Sequence, residues 1–297
     1  MAGTVLVLIA EPGSRAIGGE ALAILRQRGF CEPVWLAEAE ACEFALQDPM
    51  PSTLEEELRG ALAPRPIDVA LVDAQGRRKQ LLVADMDSTM IRQECIDELA
   101  QLAGVSEQVK DVTLKAMRGE IPFEESLLRR VALLKGMPAS SVAAVMARLD
   151  YTPGGRTLIA TLKADHCHTV LVSGGFSVFT ACVAAALGFD VHRANELVIA
   201  DGKLAGTVTR PILGSGAKLQ TLDEFVRRLG ISRAEAIAVG DGANDIPMLQ
   251  AAGMGVALHA KPIVRHAAKI RIDHGDLTAL LYLQGYRRSA FVETVST

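Results

Sequence analysis

The chain lacks charge runs, long apolar stretches and paired cysteine motifs, and each lack argues against a class of function. Its 31 basic and 35 acidic residues, a formal net charge of −4, are interspersed along 297 positions. No basic patch of the kind a phosphate backbone requires stands out, so no nucleic-acid partner is expected. No apolar run approaches the roughly 20 residues that cross a bilayer, so no membrane partner is expected either. The apolar start, Met1 to Ala10, has no basic leader and soon meets Glu11-Pro12-Gly13, which predicts a strand rather than a signal peptide. Cys31, Cys42, Cys95, Cys167 and Cys182 include no CxxC pair. Neither a disulfide framework nor a thiolate zinc site is implied, and reduced thiols in the cytoplasm are the expectation. There is no GxxxxGK[ST] loop, no internal repeat and no low-complexity tract.

What is present is apolar material for more than one core. Hydrophobic residues make up 49% of the chain, and the length suggests roughly two domains. From Thr4 to Asp73 the pattern predicts a small βαββαβ unit. Its strands fall at Val5–Ile9, Cys31–Leu36, Ala41–Leu46 and Ile67–Val72, and its helices near Arg15–Arg28 and Thr53–Leu62. The polar Asp73–Lys79 stretch then reads as a linker before a strand at Gln80–Ala84. Helical spacing occupies Ile91–Asp150, broken at Gly104, Gly119-Glu120-Ile121-Pro122 and Gly136-Met137-Pro138, which predicts a helical bundle inserted after that strand. Strands then alternate with helices, at Thr169–Val172, Ala236–Val239, Gly255–Leu258 and Lys269–Ile272, with a hairpin around Ala200–Lys203. The expected fold class is α/β: a Rossmann-like core with a parallel sheet, an inserted α-helical cap and a small N-terminal α/β domain. The expected domains are 1–76, a core of 77–91 plus 151–297, and a cap of 92–150.

Polar motifs recur where the predicted strands end. Asp85-Met86-Asp87-Ser88-Thr89 follows Leu81–Ala84, Ser173-Gly174-Gly175 follows Thr169–Val172, and Gly240-Asp241-Gly242-Ala243-Asn244-Asp245 follows Ala236–Val239. Open α/β sheets bind ligands at the carboxyl ends of their strands. Lys218, after the Gly214-Ser215-Gly216 turn, heads a helix from which it can reach the same crevice. Such a set suits phosphoryl transfer through a covalent intermediate. One carboxylate attacks phosphorus, another protonates the leaving oxygen and then activates water, and a metal neutralises the charge between them. Asp85 and Asp87, two apart in an extended chain, point the same way. Asp241 would complete an all-oxygen site with Asp85 and Asp87, supported from behind by Asp245, which favours Mg²⁺ over zinc. Ser173 and Lys218 would hold the phosphoryl oxygens.

These four ordered motifs resemble those of the haloacid dehalogenase superfamily of phosphohydrolases. Within it, the segment Phe123–Val131 and Glu94, nine residues after Asp85, resemble the helical cap of the phosphoserine phosphatase family. The resemblance implies that Arg130 binds the carboxylate of the small-molecule substrate phosphoserine and Glu94 its ammonium. It also implies that Met117 and Phe123 help close the site, with Gly174 and Asn244 beside the phosphate. The residue types match the chemistry, because phosphoserine presents a carboxylate and an ammonium beyond its phosphate. On residue type alone, Arg130 reads as an exposed helix arginine beside Arg129, and Glu94 as a first-turn acid favoured by the helix dipole. His166-Cys167-His168 reads as a strand entrance rather than a metal site. The N-terminal βαββαβ order resembles an ACT domain, implying a dimerising or amino-acid-sensing module, with dimerisation through it preferred. Two other functions stay open: a different phosphatase or phosphotransferase on this core, for example one passing phosphate to homoserine, and a catalytically silent amino-acid sensor.

Overall fold

The computed structural model describes residues 3–46, 51 and 53–293; the extreme ends of the 1–76 and 151–297 segments lie outside the described residues. Its N-terminal unit runs β1 (Thr4–Ala10), α1 (Gly19–Gln27), β2 (Val34–Ala37), β3 (Ala41–Leu46), α2 (Leu54–Leu62) and β4 (Ile67–Asp73). The four strands form an antiparallel sheet in the order β2-β3-β1-β4. β1 does not alternate, and both its faces are buried. Leu6 and Leu8 face Leu25, Leu58 and Leu62 of the unit's own helices. Val5, Val7 and Ile9 face the other way and join the main core. That explains a nearly continuous apolar run in an antiparallel sheet, where one solvated face is common.

The core begins with β5 (Leu81–Ala84). Four helices follow: α3 (Cys95–Ala103), α4 (Ser106–Met117), α5 (Phe123–Leu133) and α6 (Ser140–Met146). The chain returns through α7 (Gly155–Ala164), β6 (His168–Phe176), α8 (Ser177–Leu187) and β7 (Val191–Asn195), then a hairpin of β8 (Leu197–Ala200) and β9 (Lys203–Val208). It finishes with α9 (Ala217–Leu229), β10 (Ala236–Gly240), α10 (Ile246–Ala251), β11 (Met254–Leu258), α11 (Pro262–Ala267), β12 (Ile270–Ile272) and α12 (Ala279–Leu283). The six core strands are ordered β12-β11-β10-β5-β6-β7, and every pair is parallel. β5, β10 and β11 are wholly buried, as continuous Leu/Val/Ala/Ile runs in the middle of a parallel sheet must be.

Several boundaries differ from the sequence expectation. α1 starts at Gly19 rather than near Arg15, because Arg15 takes a left-handed backbone (φ 52°) in the preceding loop. β2 starts at Val34, after Pro33, rather than at Cys31. β6 continues through Ser173-Gly174-Gly175 to Phe176, with a register shift against β7, so that motif lies inside the strand's end rather than after it. β7 has no counterpart in the expectation. Val-His-Arg-Ala-Asn is a polar edge strand, mostly half-buried, and carries no apolar run.

The helical insertion is not isolated from the rest. Gly136 N–H donates to Leu204 O (2.9 Å), Leu204 N–H to Met137 O (2.8 Å) and Ala139 N–H to Gly202 O (2.8 Å), tying the α5–α6 turn to the β8–β9 hairpin.

Candidate active site

β5 sits between β10 and β6, so the three strands deliver their motifs side by side. Asp85 N–H continues the ladder to Val239 O (3.0 Å), and its buried carboxylate lies at the sheet's carboxyl edge. The next turn is tight: Met90 and Ile91 N–H both donate to Met86 O, and Ser88 adopts φ 56°. A positive φ at a non-glycine residue is uncommon, and here it accompanies a specific contact. Ser88 Oγ donates to Glu94 Oε1 at 2.9 Å.

One carboxylate cluster lies beneath that turn. Ligand oxygens of Asp85, Asp241 and Asp245 all lie within 4.8 Å of one another, and all three side chains are buried. Lys218 Nζ is 2.6 Å from Asp85 Oδ1 and is also bonded to Asp245 Oδ1. Asp245 Oδ2 accepts the Asp241 and Gly242 N–H groups at 3.1 and 2.9 Å. This is why Gly240 is required: a Cβ there would lie 2.4 Å from Asp245 Cγ. Burial and the Asp245 charge push the Asp85 carboxyl well above its ordinary value, against the pull of Lys218. Burial also raises Asp241, opposed mainly by Lys261. Burial would lower the Lys218 ammonium, but the Asp245 and Asp85 charges outweigh it and hold it above its usual range. Three buried carboxylates, two of them sharing the buried Lys218 ammonium, form a hard, all-oxygen donor set, and a divalent cation of that preference fits it.

Asp87 faces elsewhere. Its Oδ1 accepts Cys95 N–H (2.9 Å) and its Oδ2 accepts Ser173 Oγ–H (2.9 Å), while Ser173 Oγ in turn accepts Gly175 N–H (2.8 Å). The first carboxylate is thus directed into the acidic cluster and the second is held by polar hydrogens from the cap helix α3 and from β6. Of the expected metal residues Asp85, Asp87 and Asp241, the carboxylates of Asp85 and Asp241 lie in the cluster, the Asp87 carboxylate is turned to Cys95 and Ser173, and Asp245, expected behind the ligands, is the third carboxylate of the cluster.

The inserted helices cover this edge. Phe123, the first residue of α5, lies over Gly174 so closely that a Cβ on Gly174 would be 2.8 Å from Phe123 Cζ. Arg130, about two turns further along α5, donates from Nε to Ser126 O (3.3 Å). Burial lowers its pKa, and the charges of Asp97, Glu94 and Asp87 act to raise it, so the guanidinium faces the acidic mouth of the site. Burial and the Asp87 charge push Glu94 up to about 7. Asn244 is half-buried and folds back on Gly242, whose hypothetical Cβ would lie 2.6 Å from Asn244 Oδ1. Met117 ends α4 and is 65% exposed. His168 stacks on Phe225 at 5.2 Å, while Cys167 is buried with its thiol pushed up to about 12 by burial.

The sequence reading passed over four residues that the fold brings to the site. Ser88 holds Glu94, Thr89 Oγ1 donates to Asp241 Oδ1 (3.3 Å), and Asp97 acts on Arg130. Lys261 N–H donates to Asp241 O (3.2 Å), and its Nζ lies 3.7 Å from Asp241 Oδ2. Lys261 follows the carboxyl end of β11, so the strand-end rule that located the other motifs would also have found it.

Comparison with known proteins places this geometry in context. The family model for haloacid dehalogenase-like hydrolases matches residues 82–250. The phosphoserine phosphatase of Streptomyces coelicolor is 43% identical over 259 residues, which cover 86% of this chain and 63% of that protein's length. The chain therefore spans less than two thirds of that relative. A crystal structure of a hydrolase of the same family from Salmonella enterica serovar Typhi superposes with a TM-score of 0.85 at 30% identity, covering 95% of this chain and 98% of that one. A structure described as a phospho-aspartyl intermediate analogue of phosphoserine phosphatase gives a TM-score of 0.65 at 41% identity, covering 69% of this chain and 98% of that one.

Proposed function

The chain belongs to the haloacid dehalogenase-like hydrolase family, and from that premise we propose that it hydrolyses O-phospho-L-serine to L-serine and phosphate, with Asp85 carrying the phosphoryl group in between. The observation that carries the substrate assignment is the pair of cap residues above the acidic edge. Arg130 has no carboxylate within ion-pair distance among the described residues, yet faces the site, while Glu94 sits across from it near Asp87. A substrate bearing one carboxylate and one ammonium completes both, and the planar fork of arginine suits the carboxylate.

In the first step an Asp85 oxygen bonds to phosphorus as the ester P–O bond breaks, and Asp87 gives the leaving serine oxygen a proton. In the second, Asp87 takes a proton from the water that attacks the phosphoryl group, and Asp85 is released. Ser173, Gly174, Lys218 and Asn244 hold the phosphoryl oxygens, where charge shifts in the transition state. Asp85, Asp87 and Asp241 would hold Mg²⁺, with Asp245 behind them fixed by Lys218 and two backbone N–H groups; when bound, the ion supplies the positive charge between attacking carboxylate and phosphate. Phe123, against Gly174, excludes water from the site, and Met117, at the end of α4, helps to close it.

The proposed division is an ACT-like unit at 1–76, a hydrolase core of 77–91 and 151–297, and a cap at 92–150. The N-terminal unit acts as a dimerising module through its free edge β2, because its other edge, β4, packs against β12. Reduced cysteines suit the cytoplasm, and no helix among the described residues is long and apolar enough to cross a membrane.

The test is a panel of phosphate esters with Mg²⁺ and with EDTA, with products resolved in the presence of homoserine. Phosphoserine turnover that needs Mg²⁺ and releases inorganic phosphate is expected. Phosphohomoserine as the main product would reassign the chain to a phosphotransferase.

A further inference from the structure

Asp68 is an unusual residue for a strand of the N-terminal unit. It is 1% exposed, and it spends its carboxylate on a loop more than 200 positions away in sequence. Oδ1 accepts Asp273 N–H at 2.7 Å, and Oδ2 accepts His274 N–H at 3.1 Å and Gly275 N–H at 2.7 Å. A buried carboxylate needs such donors, so a domain staple would account for these bonds alone. The far side of the same loop does more. Gly275 O accepts a hydrogen bond from His259 Nε2 at 2.8 Å, and because a carbonyl can only accept, that nitrogen carries the proton. His259 N–H donates to Ile272 O at 2.8 Å. His259 itself stands at φ 45°, a left-handed conformation that a non-glycine residue holds only when its surroundings enforce it. Those two bonds are the enforcement. Two residues later the chain reaches Lys261, whose ammonium lies 3.7 Å from Asp241 Oδ2 and whose charge also acts on Glu94 and Asp97.

We propose that Asp68 is a positioning residue for the rim cation Lys261, acting through Gly275 and His259, so that the N-terminal unit shapes the mouth of the active site. Lys261 is half-exposed beside the Asp241 carboxylate, so its ammonium offsets negative charge that would repel a dianionic phosphate. A fixed positive charge there favours capture of the substrate rather than the chemical step. The His259 turn keeps it over Asp241. When the turn relaxes, the ammonium moves into solvent and the rim becomes more acidic. The contribution of Lys261 to phosphoserine capture rests on the function proposed above, whereas the mechanical link from Asp68 to the turn does not.

The experiment uses the full chain with Mg²⁺ and four variants: Lys261→Met, His259→Ala, Asp68→Asn and the double variant His259→Ala/Lys261→Met. Lys261→Met should raise KM for phosphoserine about fivefold or more while kcat changes less than about twofold. His259→Ala and Asp68→Asn should raise KM in the same way, and the double variant should be no worse than Lys261→Met alone, because the two act in series. Amide hydrogen exchange over 259–261, read without substrate, should quicken about tenfold in His259→Ala and Asp68→Asn. Additive KM effects, a fall in kcat at unchanged KM, or unchanged exchange over 259–261 would each overturn the proposal. Should Asp68→Asn fail to fold, the exposed His259 provides the same comparison through His259→Ala. If the wild-type chain does not turn over phosphoserine, the substrate assignment fails while the exchange measurement still decides the link.

Discussion

Asp85 is poised by opposing neighbours. Burial and Asp245 disfavour its charge, Lys218 favours it, and Met86 N–H donates to Oδ1 at 2.8 Å. Asp241 and Asp245 share the cluster, but Asp245 is tied up by Lys218 and two backbone N–H groups and Asp241 faces Thr89 and Lys261, so Asp85→Asn should abolish hydrolysis, and borohydride trapping during turnover should label Asp85 in the wild type alone. Asp87→Asn keeps the shape but removes the proton carrier, and kcat should fall about 10²–10⁴-fold. Glu94 supplies a pH signature. Its carboxyl titrates at about 7 in the folded chain against an ordinary 4.5. The folded state therefore binds that proton more tightly, so the stability it contributes is complete below 4.5 and is lost as pH rises through about 7. Calorimetry of the metal-free protein should show Tm falling across that window, and falling less in Glu94→Gln. Function runs the opposite way, because the substrate ammonium requires an ionised partner. KM for phosphoserine should improve as pH rises through about 7, and Glu94→Gln should flatten the profile.

Selectivity belongs to the elements rather than to the core motifs, which address phosphate and metal only. α5 places Phe123 on Gly174 and Arg130 over the acidic mouth, so in the proposed function one helix both closes the site and reads the substrate. Arg130→Ala should cost about 2–5 kcal/mol in kcat/KM for phosphoserine by leaving its carboxylate unpaired, with far less effect on a neutral phosphate ester. Equal losses on both substrates, measured side by side, would show that Arg130 serves folding or phosphate binding instead. The same scale separates what the sequence reveals from what it hides. β5, β10 and β11 are legible because central parallel strands are continuous apolar runs ending in motif residues. β7 is hidden because an edge strand of Val-His-Arg-Ala-Asn needs no apolar pattern. Asp85, Asp241 and Lys218 converge as their motifs suggest, but that the Asp245 carboxylate lies beside theirs while the Asp87 carboxylate turns to Ser173 depends on side-chain direction, which spacing does not encode. Asp68 escapes notice because its contacts are made between units, whereas Lys261, just past the carboxyl end of β11, is within reach of the strand-end rule.

At the scale of the whole molecule, the seam at Asp73–Lys79 looks cuttable in sequence and is less so in space. The N-terminal sheet turns Val5, Val7, Ile9, Ala70 and Val72 into the same apolar cluster as Leu280 and Leu283 of α12. Polar ties surround that contact: Arg77 bridges Glu43 (2.8 Å) and the carbonyl of Leu283 (3.2 Å), Tyr282 Oη donates to Glu40 (2.9 Å), and Arg271 lies 3.7 Å from Glu56. Every residue assigned to chemistry nevertheless lies at or beyond Asp85, and a phosphoserine phosphatase structure is matched over 98% of its length by 69% of this chain. Chemistry and integrity therefore part company on truncation. A chain beginning near Arg77 should keep Mg²⁺-dependent phosphoserine hydrolysis with kcat close to that of the full protein. It should also expose the apolar face of α12, bind a hydrophobic dye and self-associate at concentrations where the full chain does not. Its KM should rise as well, since Asp68 is lost and the turn before Lys261 is released. Light-scattering mass, dye fluorescence and the two kinetic constants measured on one preparation separate these effects. A folded, metal-binding truncation without turnover would mean that the N-terminal unit takes part in the chemistry itself, and an unchanged KM would remove its hold on the rim.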